Sequence, residues 1–249
     1  MDDAISRFPV PSVLDLPEDL RTRILAVQDK TGFVPNVFLA MAHRPDELRA
    51  FLAYHDAVME RDSSLTRAER EMIVVATSAA SRCTYCVIAH GAILRVRAKD
   101  PVLGDLVMTN YRAAPLTDRQ RAMLDYAVAL STTPDQVDAR DQERLRAAGF
   151  DDEAVWDISA ITSFFALSNR MAHAMGLRPN AEFHALGRPG PFLLGSWPCR
   201  PPPSGSRACS GRARCSAATG SPRGSRARCG SSARTSSRSA PTRAVAPTT

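Results

Sequence analysis

Glu71, Cys83, Cys86 and His90 stand in the pattern E-x11-C-x2-C-x3-H, within the segment RAEREMIVVATSAASRCTYCVIAHGAILR. Two thiols, a carboxylate and an imidazole at these spacings can assemble a redox-active dithiol with its own proton relay. The thiolate is the reactive form of cysteine, so a nearby base that takes the thiol proton raises reactivity. In a helix, Cys83 and Cys86 lie at i, i+3, on one face and about one turn apart. Side chains that close can bridge as a disulfide when their Cβ vectors cooperate. Cys86 and His90 lie at i, i+4, which stacks the imidazole one turn beyond the second thiol. Glu71 belongs to the preceding helical run and must come back across a turn to join them.

The elements that must position these groups read as helix almost throughout residues 1–187. Pro17 opens PEDLRTRILAVQDKTG as its first helical residue, with Gly32 as the stop. Asn36 caps a short helix, NVFLAMAHR, and Pro45 starts PDELRAFLAYHDAVMER. Thr66 with Glu69 forms a capping box that opens the Glu71 helix, and Thr117 with Gln120 forms a second one over TDRQRAMLDYAVALS. The two starts, LTRAER and LTDRQR, are 51 residues apart, a faint hint of an internal repeat. PDQVDARDQERLRAAG ends at Gly149. Asp151 or Asp152 then caps a long apolar helix that ends at Gly176. No period-2 strand or hairpin turn is legible, so about eight helices with short loops predict an all-α domain. The continuous apolar run Met72–Ala76 predicts a helix buried on most sides, or covered by another subunit.

The chain has 249 residues and a formal net charge of +6, which misleads. All 26 acidic residues precede Arg188, and 11 arginines follow from there. Residues 1–187 therefore hold 21 basic side chains against 26 acidic, a net of −5, and nucleic-acid binding is not expected of them. No apolar run approaches the roughly 18–20 residues of a membrane span. The first twenty residues lack the basic and apolar regions of a signal peptide. A cytoplasmic location is the expectation. There thiols are kept reduced, and a C-x-x-C is catalytic or metal-binding more often than structural. Structural zinc usually takes four ligands, and Cys83, Cys86 and His90 offer three, so no metal and no other cofactor is expected.

From Arg188 to Thr249 the composition changes. These 62 residues include 12 Ser, 11 Arg, 9 Pro, 9 Ala and 7 Gly, and no Lys, Asp, Glu, Asn, Gln, His, Ile, Met or Tyr. Such a stretch cannot bury enough apolar surface to offset chain entropy and is expected to be disordered. Arg, Pro, Ala and Gly belong to GC-rich codon boxes. With 30 Arg and only Lys30 and Lys99 as lysines, the pattern fits an out-of-frame reading of a GC-rich gene. A basic arm for an acidic surface is the other reading. Cys199, Cys209, Cys215 and Cys229 lie there and receive no role.

The E-x11-C-x2-C-x3-H pattern resembles the signature of the AhpD-like alkylhydroperoxidases, in the carboxymuconolactone decarboxylase superfamily. GFVPNVFLAMAHRP, LTDRQRAMLDYAVAL, LRAAGFDDEAVWDI, FFALSNRMAHAMGLRPN and EFHALGR resemble its peroxidase-related branch. The likeness covers about residues 8–188. It implies an all-helical homo-oligomer, trimeric or hexameric, that reduces hydroperoxides. By position, Cys86 would be the peroxidatic cysteine and Cys83 the resolving one, with Glu71 and His90 as proton relay. An external dithiol would regenerate the pair; dihydrolipoyl groups serve related enzymes. One position departs from the pattern: Tyr85 stands where the best-studied members carry a histidine, and a phenol of reference pKa about 10 is no base near neutrality.

Other readings stand beside this one. A decarboxylase or lactone-processing enzyme of the same superfamily would not need the cysteine pair. A non-enzymatic thiol redox sensor would share its first step with a peroxidase. Cys83 and Cys86 could also pack as small hydrophobes. Tyr85 reads as packing or pocket lining, and Asn169 and Arg170 as supports of a helix or subunit contact. His43, His55, His173 and His184 have no partner pattern.

Overall fold

A computed structural model describes residues 4–189. Among these residues there are ten α-helices, three short 3-10 turns and no strand. The helices are α1 (Glu18–Thr31), α2 (Asn36–Met41), α3 (Pro45–Met59), α4 (Arg67–Ala80) and α5 (Thr84–Ala98). There follow α6 (Leu103–Asn110), α7 (Asp118–Thr132), α8 (Ala139–Ala147), α9 (Asp152–Met175) and α10 (Glu182–Ala185). The all-α expectation holds. No helix among the described residues is long and apolar enough to cross a membrane. The reading of residues 188–249 as a disordered tail falls outside the described residues, save for Arg188 and Pro189.

Both capping boxes are present. Thr66 Oγ1 accepts from the Glu69 amide at 3.1 Å while Glu69 Oε2 accepts from the Thr66 amide at 2.9 Å. Thr117 and Gln120 repeat this at the start of α7. The two helix starts are also joined: Arg119 donates to Glu69 Oε1 at 2.6 Å and lays its guanidinium over the Phe150 ring. Gly32, Gly149 and Gly176, the expected stops, all have positive φ. Local boundaries differ: α2 stops at Met41, short of the expected Arg44, and PDQVDARDQERLRAAG splits into a 3-10 turn over Pro134–Gln136 and α8, which Asp138 caps. Pro17 and Pro35 are N-caps, so α1 begins at Glu18 and Asn36 is already helical rather than a cap.

Helix α4 is the central strut. Every residue from Glu69 to Ser78 is buried, and the helix packs on α5, α6, α7 and α9. The apolar run is thus covered within the chain itself. Ile73, Val74 and Val75 join Met123, Leu124, Ile158, Ile161 and Phe165 in one core. Each such side chain contributes roughly 1.5–3 kcal/mol when fully withdrawn from water. A second core gathers α1, α2, the starts of α3 and α5, and the end of α9. It includes Leu20, Ile24, Leu48, Leu52, Cys83, Tyr85, Cys86, Met175 and Phe183.

Two elements escaped the sequence reading. Helix α6 is short and is started by Asp100, whose Oδ1 accepts from the Val102 and Leu103 amides at 2.8 and 3.1 Å. Gly104 lets it approach α5 closely: a Cβ there would lie 2.6 Å from the Gly91 carbonyl oxygen. The short α10 is held by Arg95, buried on α5, which donates to the Phe183 and Leu186 carbonyls at 2.8 and 3.0 Å. Arg188 grips Asp105 of α6 with two bonds of 2.9 Å.

Candidate active site

The turn between α4 and α5 sets the site. Arg82 takes a left-handed conformation, φ 54°, which turns the chain back within three residues. His173 of α9 steadies this turn, its Nε2 lying 3.0 Å from the Ser81 carbonyl oxygen. Cys83 follows as the N-cap of α5, its amide donating to the Ser78 carbonyl at 3.0 Å. Cys86 is then in the first helical turn. The expectation that both cysteines lie along one helix face is therefore refined: the pair straddles the helix start, where amide groups point outward unpaired. Both thiols are free and buried.

That position governs their protonation. The Cys83 thiol is pulled down to about 6, chiefly by a hydrogen bond from the Cys86 thiol. Burial opposes this, while the Cys86 amide and the charges of His173 and His90 assist. Cys86 is pushed up well above its ordinary value because it donates to Cys83, is buried, and feels the Cys83 charge. The Ser168 and Ser78 hydroxyls pull the other way. The reduced pair thus holds one proton between two sulfurs, with the negative charge resting on Cys83.

Glu71 and His90 meet as the spacing predicted. Glu71 Oε2 accepts from His90 Nδ1 at 2.8 Å, with the two side chains 9% and 14% exposed. That leaves Nε2 as the nitrogen that exchanges protons. The His90 ring also stands edge-on to Phe165, 4.7 Å between centroids. His90 and Cys86 line a common cavity of about 240 Å³. Its walls are otherwise mostly apolar, with Phe33, Phe38, Phe51, Ile93 and Phe183 among them.

Three groups at the site were not assigned from the sequence. His55 of α3 lines the same cavity. Burial, then the charge of His90, depress its pKa, so it is neutral near pH 7. Ser168 of α9 places Oγ 3.9 Å from Cys86 Sγ. Ser78 donates to Asn169 Oδ1 at 3.0 Å, which gives Asn169 a role between α4 and α9. A signal existed for two of them. His55 falls in the buried register of Leu48, Leu52 and Met59, and Ser168 in that of Ile158, Ile161, Phe165, Ala172 and Met175. A polar residue on an apolar stripe calls for a partner.

Tyr85 is a wall, not a base. Its Oη accepts from the Val37 amide at 3.2 Å, and its ring stands edge-on to Phe183. Burial pushes the phenol up, so it stays protonated. Among the described residues, no three His, Cys, Asp or Glu side chains are grouped as metal ligands.

Comparison with known proteins agrees with this architecture. Residues 45–129 match the model of the carboxymuconolactone decarboxylase family. No curated protein matches the chain in sequence. A solved structure described as an alkylhydroperoxidase AhpD core, an uncharacterized peroxidase-related protein from Ralstonia eutropha JMP134, is 60% identical. The match covers 75% of this chain and 98% of that one, with a TM-score of 0.74. A peroxidase-related protein from Silicibacter sp. TM1040 is 40% identical over 74% of this chain and 96% of that one, TM-score 0.71. The debrominase Bmp8 shares the fold at 21% identity, 75% and 97% coverage, and a TM-score of 0.59. With two peroxidase-related relatives matched over nearly their whole length, the chain belongs to the AhpD-like carboxymuconolactone decarboxylase superfamily, in its peroxidase-related branch.

Proposed function

We propose that this chain is a thiol-dependent hydroperoxide reductase in which Cys86 attacks the peroxide, Cys83 resolves, and Glu71 with His90 moves the proton. The observation that carries the reading is the placement of Cys86 on an apolar cavity beside a buried imidazole–carboxylate pair. An organic hydroperoxide fits those walls better than hydrogen peroxide does.

The chemistry balances on these residues. The Cys86 thiol gives its proton to His90 Nε2, and its sulfur attacks the distal peroxide oxygen. The O–O bond breaks, and the leaving alkoxide takes that proton from His90, whose ring Glu71 holds in place. Cys86 is left as a sulfenic acid. The Cys83 thiolate then attacks the Cys86 sulfur, forming the disulfide, and the departing hydroxide takes a proton from solvent and leaves as water. An external dithiol restores the pair by exchange.

Assembly as a trimer or hexamer is part of the same reading. Trp156, 70% exposed, with the exposed Leu167 and Tyr54, offers apolar surface for it. The reducing cytoplasm would keep the resting dithiol open.

The test is cumene hydroperoxide and hydrogen peroxide consumption with several dithiol donors, on wild type, Cys86→Ser and Cys83→Ser. Cys86→Ser should be inactive. Cys83→Ser should react once and carry a dimedone-reactive sulfenic acid on Cys86. Dimedone labelling of Cys83 in the Cys86→Ser protein would exchange the two roles. Stoichiometric oxidation without turnover under every donor would favour a redox sensor instead.

A further inference from the structure

The two sulfurs open on different spaces. Cys86 lines the apolar cavity with His90, and Cys83 does not. Cys83 lines a separate cleft of about 190 Å³, with Arg7, Thr84, Tyr85, His173 and Gly176 among its walls. Tyr85 lines both and stands between them. Its bond from the Val37 amide and its edge contact with Phe183 fix that partition.

The spaces also differ in charge. Arg7 and His173 line the cleft, whereas the apolar cavity has no arginine among its walls; neither space is lined by a carboxylate. Arg7 is held there deliberately by the fold. Its amide donates to the Met175 carbonyl at 2.7 Å, and Nη1 donates to the His173 carbonyl at 3.1 Å. The guanidinium occupies the place a side chain at 176 would need: a Cβ there would sit 2.8 Å from Arg7 Nε. Glycine at 176 both ends α9 with φ 60° and seats the arginine.

We propose that this cleft is the entrance for the reductant, and that it selects a thiol bearing a negative charge. The proposal rests on the dithiol reading above and adds a separate door and a charge class. The incoming thiolate attacks Cys83 Sγ of the oxidised pair. The Cys83–Cys86 bond breaks, and Cys86 departs with the electron pair and takes a proton from His90 on the cavity side. A second donor thiol, on the same or another molecule, then displaces Cys83 from the mixed disulfide. Cys83 leaves as a thiolate, stabilised by the Cys86 amide and thiol. Two electrons pass from the donor thiols, which end as a disulfide.

The experiment oxidises the full chain with diamide and follows its reduction, so it does not depend on any hydroperoxide. The probes are 3-mercaptopropionate, 3-mercaptopropionamide and cysteamine at low salt, with rates normalised to thiolate concentration. The carboxylate should react about tenfold faster than the amide, the scale of one unit charge a few ångströms from a partly solvated cation, and cysteamine slowest. Arg7→Gln should erase that preference. Thr84→Glu, at an exposed first-turn position where an acid suits the helix, should reverse it without threatening the fold. Ile93→Trp, which narrows only the apolar cavity, should leave reduction unchanged. Equal rates for carboxylate and amide in wild type would overturn the proposal. So would reduction that Ile93→Trp slows and Thr84→Glu ignores, or a protein in which diamide forms no Cys83–Cys86 disulfide.

Discussion

Glu71 Oε2 and His90 Nδ1 lie 2.8 Å apart across the α4–α5 turn, shielded from water by Phe165 on α9. A carboxylate so placed fixes the ring's tautomer and leaves Nε2 free to relay a proton. Glu71→Gln keeps the shape but loses the charge, and His90→Ala loses the proton carrier. Both should slow hydroperoxide reduction, by about 10²–10⁴-fold for His90→Ala, the usual span for general acid–base groups. Circular dichroism should be unchanged. The deficit should shrink at high pH, where thiols ionise unaided; a uniform deficit across pH would mean structural damage.

The thiol pair should titrate early. Cys83 is depressed to about 6, so its thiolate is absent well below that pH and fully present well above it. Iodoacetamide alkylation of the reduced protein should therefore rise through pH 6 and level off before pH 8. Cys86→Ala removes the largest cause of the depression and should move the midpoint of Cys83 upward, toward the ordinary thiol value of about 8.5. An unmoved midpoint would assign the depression to the helix start alone.

Much of this site was legible in the residues. The spacing of Glu71, Cys83, Cys86 and His90 placed all four on two consecutive helices, and local geometry did the rest. The capping boxes at Thr66 and Thr117 and the stops at Gly32, Gly149 and Gly176 were equally readable, because each is a short-range signal. His55, Ser168 and His173 were not, because each arrives from a helix distant in sequence and only packing brings it close. The placement of Cys83 at the N-cap was also missed. A free thiol is not a usual capping side chain, and the turn depends on a left-handed Arg82 that nothing nearby announces.

Glu69 holds two helix starts at once, accepting from Thr66 and from Arg119 while itself buried. Glu69→Ala removes a cap and leaves Arg119 without its ion-pair partner. A loss of about 1–3 kcal/mol is expected, measurable by urea denaturation. Glu69→Gln should lose less, since it keeps the capping bonds.

The end of the domain should be sharply defined. Arg188 is tied to Asp105, and Phe183 and Leu186 line the apolar cavity. A chain ending at Pro189 should keep the helicity, thermal midpoint and dithiol reactivity of the full chain. A chain ending at Gly187 loses the Arg188 anchor and should melt lower. If ending at Pro189 already unfolds the protein, residues beyond it are structural.

The position of Tyr85 between the two spaces has a kinetic consequence. In an enzyme whose two substrates share one mouth, each in excess occupies the form meant for the other, and steady-state rates fall at high concentration. A ring that keeps the two mouths apart removes that competition. Initial-rate plots should then be parallel, with neither oxidant nor anionic donor inhibiting at saturation. Among the walls of the two spaces Tyr85 is shared, so changing it should alter both half-reactions together, whereas Thr84 and Ile93 can each tune one alone.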